Sequence, residues 1–161
     1  MKLDAIDLKI LKELQTNSKI SNVELAERVG LSPSPCLTRV RSLENQGVIT
    51  RYVALLDPET VGATVSVFIQ ITLEMQSESI LDKFEATIRK LPEVMECYLM
   101  TGDFDYLLRV VVKDTFALKD FILDKLTNAP GVSTIRSGFA LKQVKFETAL
   151  PLGKLFLDAS K

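Results

Sequence analysis

The chain has 161 residues, of which 47% are hydrophobic and 25% charged, and this composition is typical of a globular protein rather than a disordered one. It contains no histidine, which excludes histidine-based acid–base catalysis and removes the commonest ligand of transition-metal sites. The net charge is −1, but residues 1–52 carry 8 Lys and Arg against 6 Asp and Glu, and the remainder carries 12 against 15, so only the first part favours an anionic partner.

Two helices are predicted at the start of the chain. Apolar residues recur at helical spacing from Asp4 to Gln15, with Asp4 as the N-cap. Ser21 and Glu24 form a capping-box pattern that begins the second helix. Gly30 ends this helix, because glycine readily adopts the left-handed conformation found after a helix.

A third helix follows despite two prolines near its start. If Ser32 or Ser34 is its N-cap, Pro33 and Pro35 lie in the first turn, where backbone N–H groups have no acceptor within the helix. The helix then runs on to Gly47, which follows its last residue. The second and third helices, separated by a short turn, predict a helix-turn-helix arrangement.

The outward side of the third helix distinguishes a DNA-reading helix from an ordinary helical hairpin. At about 100° per residue, Cys36, Val40 and Leu43 point inward, and the opposite side is small, polar or cationic without a carboxylate. Such side chains can bind base edges and phosphates in a major groove. The predicted DNA contacts are Ser32, Ser34, Thr38, Arg39, Arg41, Ser42, Asn45 and Arg51, with Arg28 as a further candidate for a phosphate.

An extended segment is predicted after Gly47 for the stretch VITRYVALLDP, which ends in an Asp-Pro turn. This segment would serve as both wing and linker. The predicted domains are therefore a helix-turn-helix domain at residues 1–50, a connecting strand or linker at 51–62, and a second domain at 63–161.

The second domain is predicted to have an α+β fold. Alternating and helical apolar patterns follow in the order βαββαβ, which is the ferredoxin-like arrangement. The predicted strands are 65–73, 94–100, 106–112 and 132–145, and the predicted helices are 78–91 and 115–127.

Two helices can cover only one face of such a sheet, so the free face needs a partner. Phe68, Tyr98 and Phe139 are candidates to fill it. The simplest partner is a second copy in a two-fold dimer, which would present two recognition helices to half-sites ~34 Å apart.

The stretch TGDFD between the two middle strands is either a plain hairpin connection or a ligand site. Amides beside Gly102 can bind a carboxylate, and Asp103 or Asp105 can bind an ammonium group, a pairing that describes a free amino acid. Without a histidine or a nearby nucleophile, the two carboxylates do not indicate an enzyme. No metal site is predicted.

The chain is expected to be cytoplasmic and without a membrane span. No apolar run approaches the roughly 20 residues that a span needs, and the first ten residues show no secretory signal. Cys36 and Cys97 lie in apolar periodic segments, which favours two buried thiols over a disulfide or a metal pair.

The chain resembles the leucine-responsive regulatory protein (Lrp/AsnC, or feast/famine) family over nearly its whole length. The residues that carry the resemblance are LDAIDLKILKELQ, ISNVELAERVGLSPSPCLTRVRSLENQGVI and TGDFDYLL. The resemblance implies an N-terminal helix-turn-helix domain, a connecting strand and a ferredoxin-like domain that mediates oligomerisation and amino-acid binding. It further implies dimers that assemble to octamers.

The resemblance also implies an effector site at interfaces between dimers. It would lie near the turn of Thr101 to Asp105, and the start of the last helix and the last strand would also line it. The implied effector residues are Thr101, Gly102, Asp103, Asp105, Tyr106, Thr115, Arg136 and Gly138. The last strand carries Ser137-Gly138-Phe139-Ala140 where some relatives have bulkier residues, so leucine is not assigned as the ligand.

These observations predict a sequence-specific transcriptional regulator that binds double-stranded DNA, uses no cofactor and is modulated by an amino acid. Two alternatives remain open at this point. One is a metabolite-binding module that contacts protein, and the other is an architectural DNA-binding protein without a ligand.

Overall fold

The computed structural model describes residues 3–153, which form two compact units. The helical unit comprises residues 3–54 and 145–153, and the sheet unit comprises residues 55–144. Residues 145–153 thus belong with the helices that begin the chain, although the sequence interpretation assigned them to the second domain.

Three helices build the helical unit: α1 (Ala5–Thr16), α2 (Asn22–Val29) and α3 (Pro33–Asn45). Asp4 caps α1, and a reciprocal capping box with Asp7 satisfies the first backbone N–H groups. At Ser21 only half of the predicted capping box is present. This half is the hydrogen bond from the Glu24 N–H to the Ser21 hydroxyl, at 3.2 Å. Gly30 ends α2 in the left-handed conformation, with φ +77°, as the sequence predicts.

One small core holds the three helices together. The segment after residue 145 joins this core through Leu152, and the Gln15 side chain pairs with both backbone groups of Leu150 at 3.2 and 2.6 Å. The buried core residues are Ile10, Leu11, Leu25, Ala26, Val29, Cys36 and Leu43.

The sheet unit has the predicted βαββαβ order. Its four strands are antiparallel in the order β2-β3-β1-β4, which confirms the ferredoxin-like fold class. The elements are β1 (Val65–Leu73), α4 (Glu78–Ile88), β2 (Val94–Leu99), β3 (Tyr106–Val112), α5 (Thr115–Asp120) and β4 (Val132–Phe139). After α5 the chain continues as a π-helical turn, Phe121–Leu126.

The last strand is shorter than the sequence predicts. The final bond of its ladder joins the Ala140 N–H to the Ser66 carbonyl at 3.1 Å, and β1 begins at Val65, so residues beyond 140 have no strand to pair with. The prediction that this strand reaches Lys145 is therefore wrong.

The two faces of the sheet differ in their cover. Every second residue of β1 and β3 is buried against the helices, whereas Phe68 and Tyr98 lie on the other face and are 41% and 52% exposed. Phe139 was predicted to share that open face. It pairs with the buried Val67, and paired residues share a face, so it lies on the helix-covered side.

Candidate functional site

The outward side of α3 is exposed, as the periodicity predicts. Ser34, Thr38, Arg41 and Asn45 are all exposed along one side of the helix. The Thr38 hydroxyl donates to the Ser34 carbonyl at 3.1 Å. Within residues 3–153, Arg41 takes part in no ion pair. This side of α3 therefore presents hydroxyl, amide and guanidinium groups without a neutralising carboxylate.

The start of α3 is also open to an external acceptor. Ser32 is the N-cap, but its hydroxyl makes no capping bond. Pro33 and Pro35 lack N–H groups, so the Ser34 amide is the free backbone donor of the first three helical positions. The Asn22 side chain donates to the Pro33 carbonyl at 2.8 Å, which ties the start of α2 to the start of α3.

Arg39 lies apart from this exposed set. Its Nη1 donates to Asp4 at 2.7 Å and to Asp7 at 2.8 Å, and its side chain is 34% exposed. These two carboxylates raise the pKa of Arg39, and the Asp7 N–H together with Arg39 holds the pKa of Asp4 below its ordinary value. Arg28 is likewise held by two carboxylates, one on α1 and one on α2.

The flanking candidates Ser42 and Arg51 differ in exposure. Ser42 is half-buried and its hydroxyl accepts from Gln46 Nε2 at 2.6 Å, whereas Arg51 is exposed. Next to Arg51, the Tyr52 hydroxyl donates to Glu44 at 2.8 Å, and burial together with this carboxylate raises the pKa of Tyr52 to about 12. Within the described chain, residues 51–57 pair with no strand, so the predicted extended segment forms no ladder.

The turn between β2 and β3 presents three exposed residues: Thr101, Gly102 and Asp103. Gly102 has φ +124°, a conformation that side-chain-bearing residues rarely adopt, so glycine is required there. No atom within 4 Å would meet a Cβ at this position, so the backbone on that side is open.

Asp105 and Tyr106 do not join these exposed residues. Asp105 is 6% exposed, and its carboxylate accepts from the Leu73 N–H at 2.7 Å and from Gln76 Nε2 at 2.6 Å. Tyr106 is 1% exposed and donates to Glu85 at 3.0 Å. Burial and Glu85 raise the pKa of Tyr106 above its ordinary value. Both residues hold the fold together in this structure and do not line an open site.

The remaining predicted effector residues lie elsewhere on the sheet unit. Thr115 follows the far end of β3, and the 7 residues of that strand span about 20 Å at ~3.4 Å per residue. Arg136 and Gly138 are exposed and pair with Gln70 and Phe68, which places them on the open face. A single chain therefore does not bring the predicted effector residues together.

A cavity of about 300 Å³ lies beside Thr115, between α5 with its π-helical turn and the end of β4. Apolar side chains dominate its lining, and Lys119 is its one charged residue. The helical periodicity already placed Leu118 and Ile122 inward, but nothing in the sequence showed that Phe139 would meet them. The lining residues are Thr115, Leu118, Lys119, Ile122, Leu123 and Phe139.

Two further features are absent from the described residues. Among residues 3–153, no group of three or more His, Cys, Asp or Glu side chains could hold a metal ion. In the same part of the chain, no helix has the length and apolar character needed to cross a bilayer.

Known protein families match both parts of the chain. The winged helix-turn-helix DNA-binding model matches residues 3–50, and the Lrp/AsnC ligand binding domain model matches residues 66–150. Among curated proteins, the leucine-responsive regulatory protein of Salmonella typhimurium is 48% identical over 143 residues, which cover 89% of this chain and 87% of that protein.

Solved structures show the same likeness. The transcriptional regulator NMB0573 of Neisseria meningitidis, solved as an L-Met complex, is 44% identical with a TM-score of 0.89, covering 94% of this chain and 98% of that one. An AsnC family transcriptional regulator of Agrobacterium tumefaciens is 43% identical with a TM-score of 0.89, covering 93% and 97%. This chain therefore belongs to the Lrp/AsnC family and is a DNA-binding transcriptional regulator whose action is modulated by a small-molecule effector.

Proposed function

We propose that α3 enters the major groove of specific duplex DNA with its exposed side. The observation that carries this proposal is a row of exposed polar groups on one side of a helix-turn-helix, together with a guanidinium that forms no ion pair within residues 3–153. Arg41 would fork onto guanine, and the hydroxyl and amide groups would bind base edges or phosphates. The proposed contacts are Ser32, Ser34, Thr38, Arg41 and Asn45, with Ser42 and Arg51 at the flanks.

The proposed effector is an amino acid with an apolar side chain, and methionine is the first candidate. The 44% identity to a regulator solved with L-Met supports this choice. The exposed backbone at Gly102 offers amides for a carboxylate, and Asp103 offers an anion for an ammonium group. Asp105 is left out of the proposed ligand contacts, because both of its oxygens are already bonded.

The complete effector site is proposed to need more than one copy of the chain. The turn at Thr101–Asp103 and the residue Thr115 lie about 20 Å apart along β3, and Arg136 lies on the open face of the sheet. A small amino acid cannot reach all of them in one protomer. A neighbouring copy that brings its own Thr115 or Arg136 to the turn would close the site.

Oligomerisation is proposed to begin at the open face of the sheet. Phe68 and Tyr98 are exposed there, beside an ion pair of 2.8 Å between Glu96 and Arg109. Covering this face with a second copy would remove apolar surface from water. We propose a two-fold dimer that assembles further to an octamer, and Tyr98→Asp should shift sedimentation toward the monomer.

The proposed setting is the cytoplasm, where the regulated DNA lies. We propose no catalytic step and no resident cofactor, since binding alone is sufficient to regulate transcription. The effector then acts through its different affinity for alternative assemblies. A coupling of ~1–3 kcal/mol would change DNA affinity ~5- to 150-fold.

The test is fluorescence anisotropy with duplex DNA from upstream of the protein's own gene, titrated with and without each amino acid. We expect tight specific binding that L-methionine shifts more than glutamate or lysine does. Binding that no amino acid shifts would favour a ligand-independent architectural role. Methionine binding without DNA affinity at moderate salt would favour a module that contacts protein.

A further inference from the structure

Arg39 on the recognition helix α3 faces away from the proposed DNA contacts. At ~100° per residue, its direction lies roughly 130° around the helix from the mean direction of Ser34, Thr38, Arg41 and Asn45. It is much nearer to the buried side, which Cys36 and Leu43 mark. Arg39 therefore projects toward α1.

Both partners of Arg39 are already fixed by a second role. In the capping box of α1, Asp4 Oδ1 accepts the Asp7 N–H at 2.8 Å and the Ile6 N–H at 2.9 Å. Asp7 Oδ2 accepts the Asp4 N–H at 3.1 Å. The other oxygen of each carboxylate, Asp4 Oδ2 and Asp7 Oδ1, accepts from Arg39 Nη1. One guanidinium thus holds two carboxylates that the helix start has already oriented.

We propose that Arg39 is a positioning residue, which fixes the angle of α3 against the start of α1 and does not itself contact DNA. To reach a phosphate, its guanidinium would have to leave both carboxylates. The Asp7 side chain is only 14% exposed, so this movement would leave a largely buried carboxylate without its ion-pair partner, which is unfavourable. Arg41, which has no such partner in the described chain, is the matched cation for comparison.

The two roles predict opposite results for Asp7→Asn. If Arg39 were a DNA contact, removing Asp7 would free it and remove a negative charge, so DNA would bind more tightly. If Arg39 positions α3, the substitution loosens the helix, and specific affinity falls although the negative charge is gone.

The decisive variant is the double substitution Arg39→Gln with Asp7→Asn, which keeps the net charge of the protein. Kd is measured for specific and unrelated duplexes of equal length over a range of salt, after circular dichroism has confirmed the fold. We expect specific affinity to fall by about 5-fold or more, because a displaced α3 would weaken the proposed base contact of Arg41. A bidentate base contact contributes about 5- to 150-fold in discrimination. Affinity for unrelated DNA and the salt slope should stay unchanged.

Arg41→Gln is the control for a base contact and should lower specific affinity. Arg51→Gln is the control for a phosphate contact, because loss of one such contact by an exposed cation should reduce the magnitude of the salt slope by about 0.9. The same reduction of the salt slope in the double variant, with uniform weakening on both duplexes, would show that Arg39 contacts phosphate and overturn the proposal. Wild-type specific affinity in the double variant would also overturn it.

Arg39→Lys keeps the test informative if the double variant is unstable. A phosphate contact tolerates lysine as a point charge, whereas holding two carboxylates depends on the planar guanidinium. We expect lower specific affinity with an unchanged salt slope, and full specific affinity with lysine would contradict a positioning role.

Discussion

The helical unit exposes a charged residue of its family motif on one side of a helix, whereas the sheet unit buries a charged residue of its own motif. In the helical unit, Arg39 and Arg28 are each bound by two carboxylates, and Arg41 is left exposed on the outer side of α3. In the sheet unit, Asp105 belongs to the TGDFDYLL motif and yet is buried. Charged residues of the family motifs therefore divide between those bound within the fold, such as Arg39 and Asp105, and those left exposed, such as Arg41.

The largest expected effect tests whether the two cores are independent. Phe84 is fully buried, with its ring 4.6 Å from that of Tyr106, and Phe84→Ala should cost about 3–5 kcal/mol of unfolding free energy in the sheet unit. Ile10→Ala, also at 0% exposure, should cost about 2–5 kcal/mol in the helical unit. Calorimetry should show each substitution shifting a different transition, and one shared transition would contradict independence.

Arg41→Ala sharpens the contrast on the DNA side. Loss of the exposed guanidinium should weaken specific DNA binding by about 1–3 kcal/mol, because its proposed bidentate hydrogen bonds to guanine are lost. Sedimentation should remain as in the wild type, because oligomerisation is proposed to begin at the open face of the sheet and not at α3. Unchanged anisotropy titrations would remove Arg41 from the site.

Asp105→Ala probes the buried motif residue. It leaves the Leu73 N–H without its acceptor and frees Gln76, so we expect the sheet unit to lose about 1–3 kcal/mol in chemical denaturation. Asp105→Asn is the control, because the asparagine Oδ1 can still accept from the Leu73 N–H. Its NH₂ group can donate to the Gln76 side-chain oxygen once that amide has rotated. Equal stability of the alanine variant and the wild type would contradict the structural role.

The smallest expected effect concerns Tyr106. Its hydrogen bond to Glu85 should contribute about 0.5–1.5 kcal/mol, which Tyr106→Phe removes. The folded state raises the pKa of Tyr106 above its ordinary value of 10.0. The stability that this phenol contributes is therefore fully present below about pH 10 and is lost as the pH rises further. Denaturation at pH 8 and 11 should show a smaller alkaline loss for the phenylalanine variant, and parallel losses would exclude this titration.

Local signals predicted most of the elements correctly. Gly30, the prolines at the start of α3 and the alternation in β1 depend on the backbone preferences of a few neighbouring residues, and each appears in the structure as predicted. The end of β4 was wrong because a strand stops where its neighbour stops, and that neighbour, β1, lies far away in the chain. The sequence predicts Asp4 as an N-cap, and only the structure shows Asp7 as its partner in a capping box.

The candidate sites were predictable to different degrees. Helical periodicity was sufficient to orient the outward residues of α3, because direction around a helix follows from position alone. The same approach placed Arg39 among the DNA contacts, although its guanidinium is held by the start of α1. Position in the chain did not predict that Asp105 is buried. It also did not predict that Asp105 and Thr115 lie at opposite ends of β3.

The family, the order of the elements and the polar side of the recognition helix follow from the amino-acid pattern alone, because they depend on local propensity and on motifs that are contiguous in the chain. The folded chain is needed to see which charged groups are neutralised, which face of the sheet stays open and which motif residues are buried. Those properties depend on contacts between segments as distant as Asp4 and Arg39, or Gln76 and Asp105, which pair only once the chain has folded.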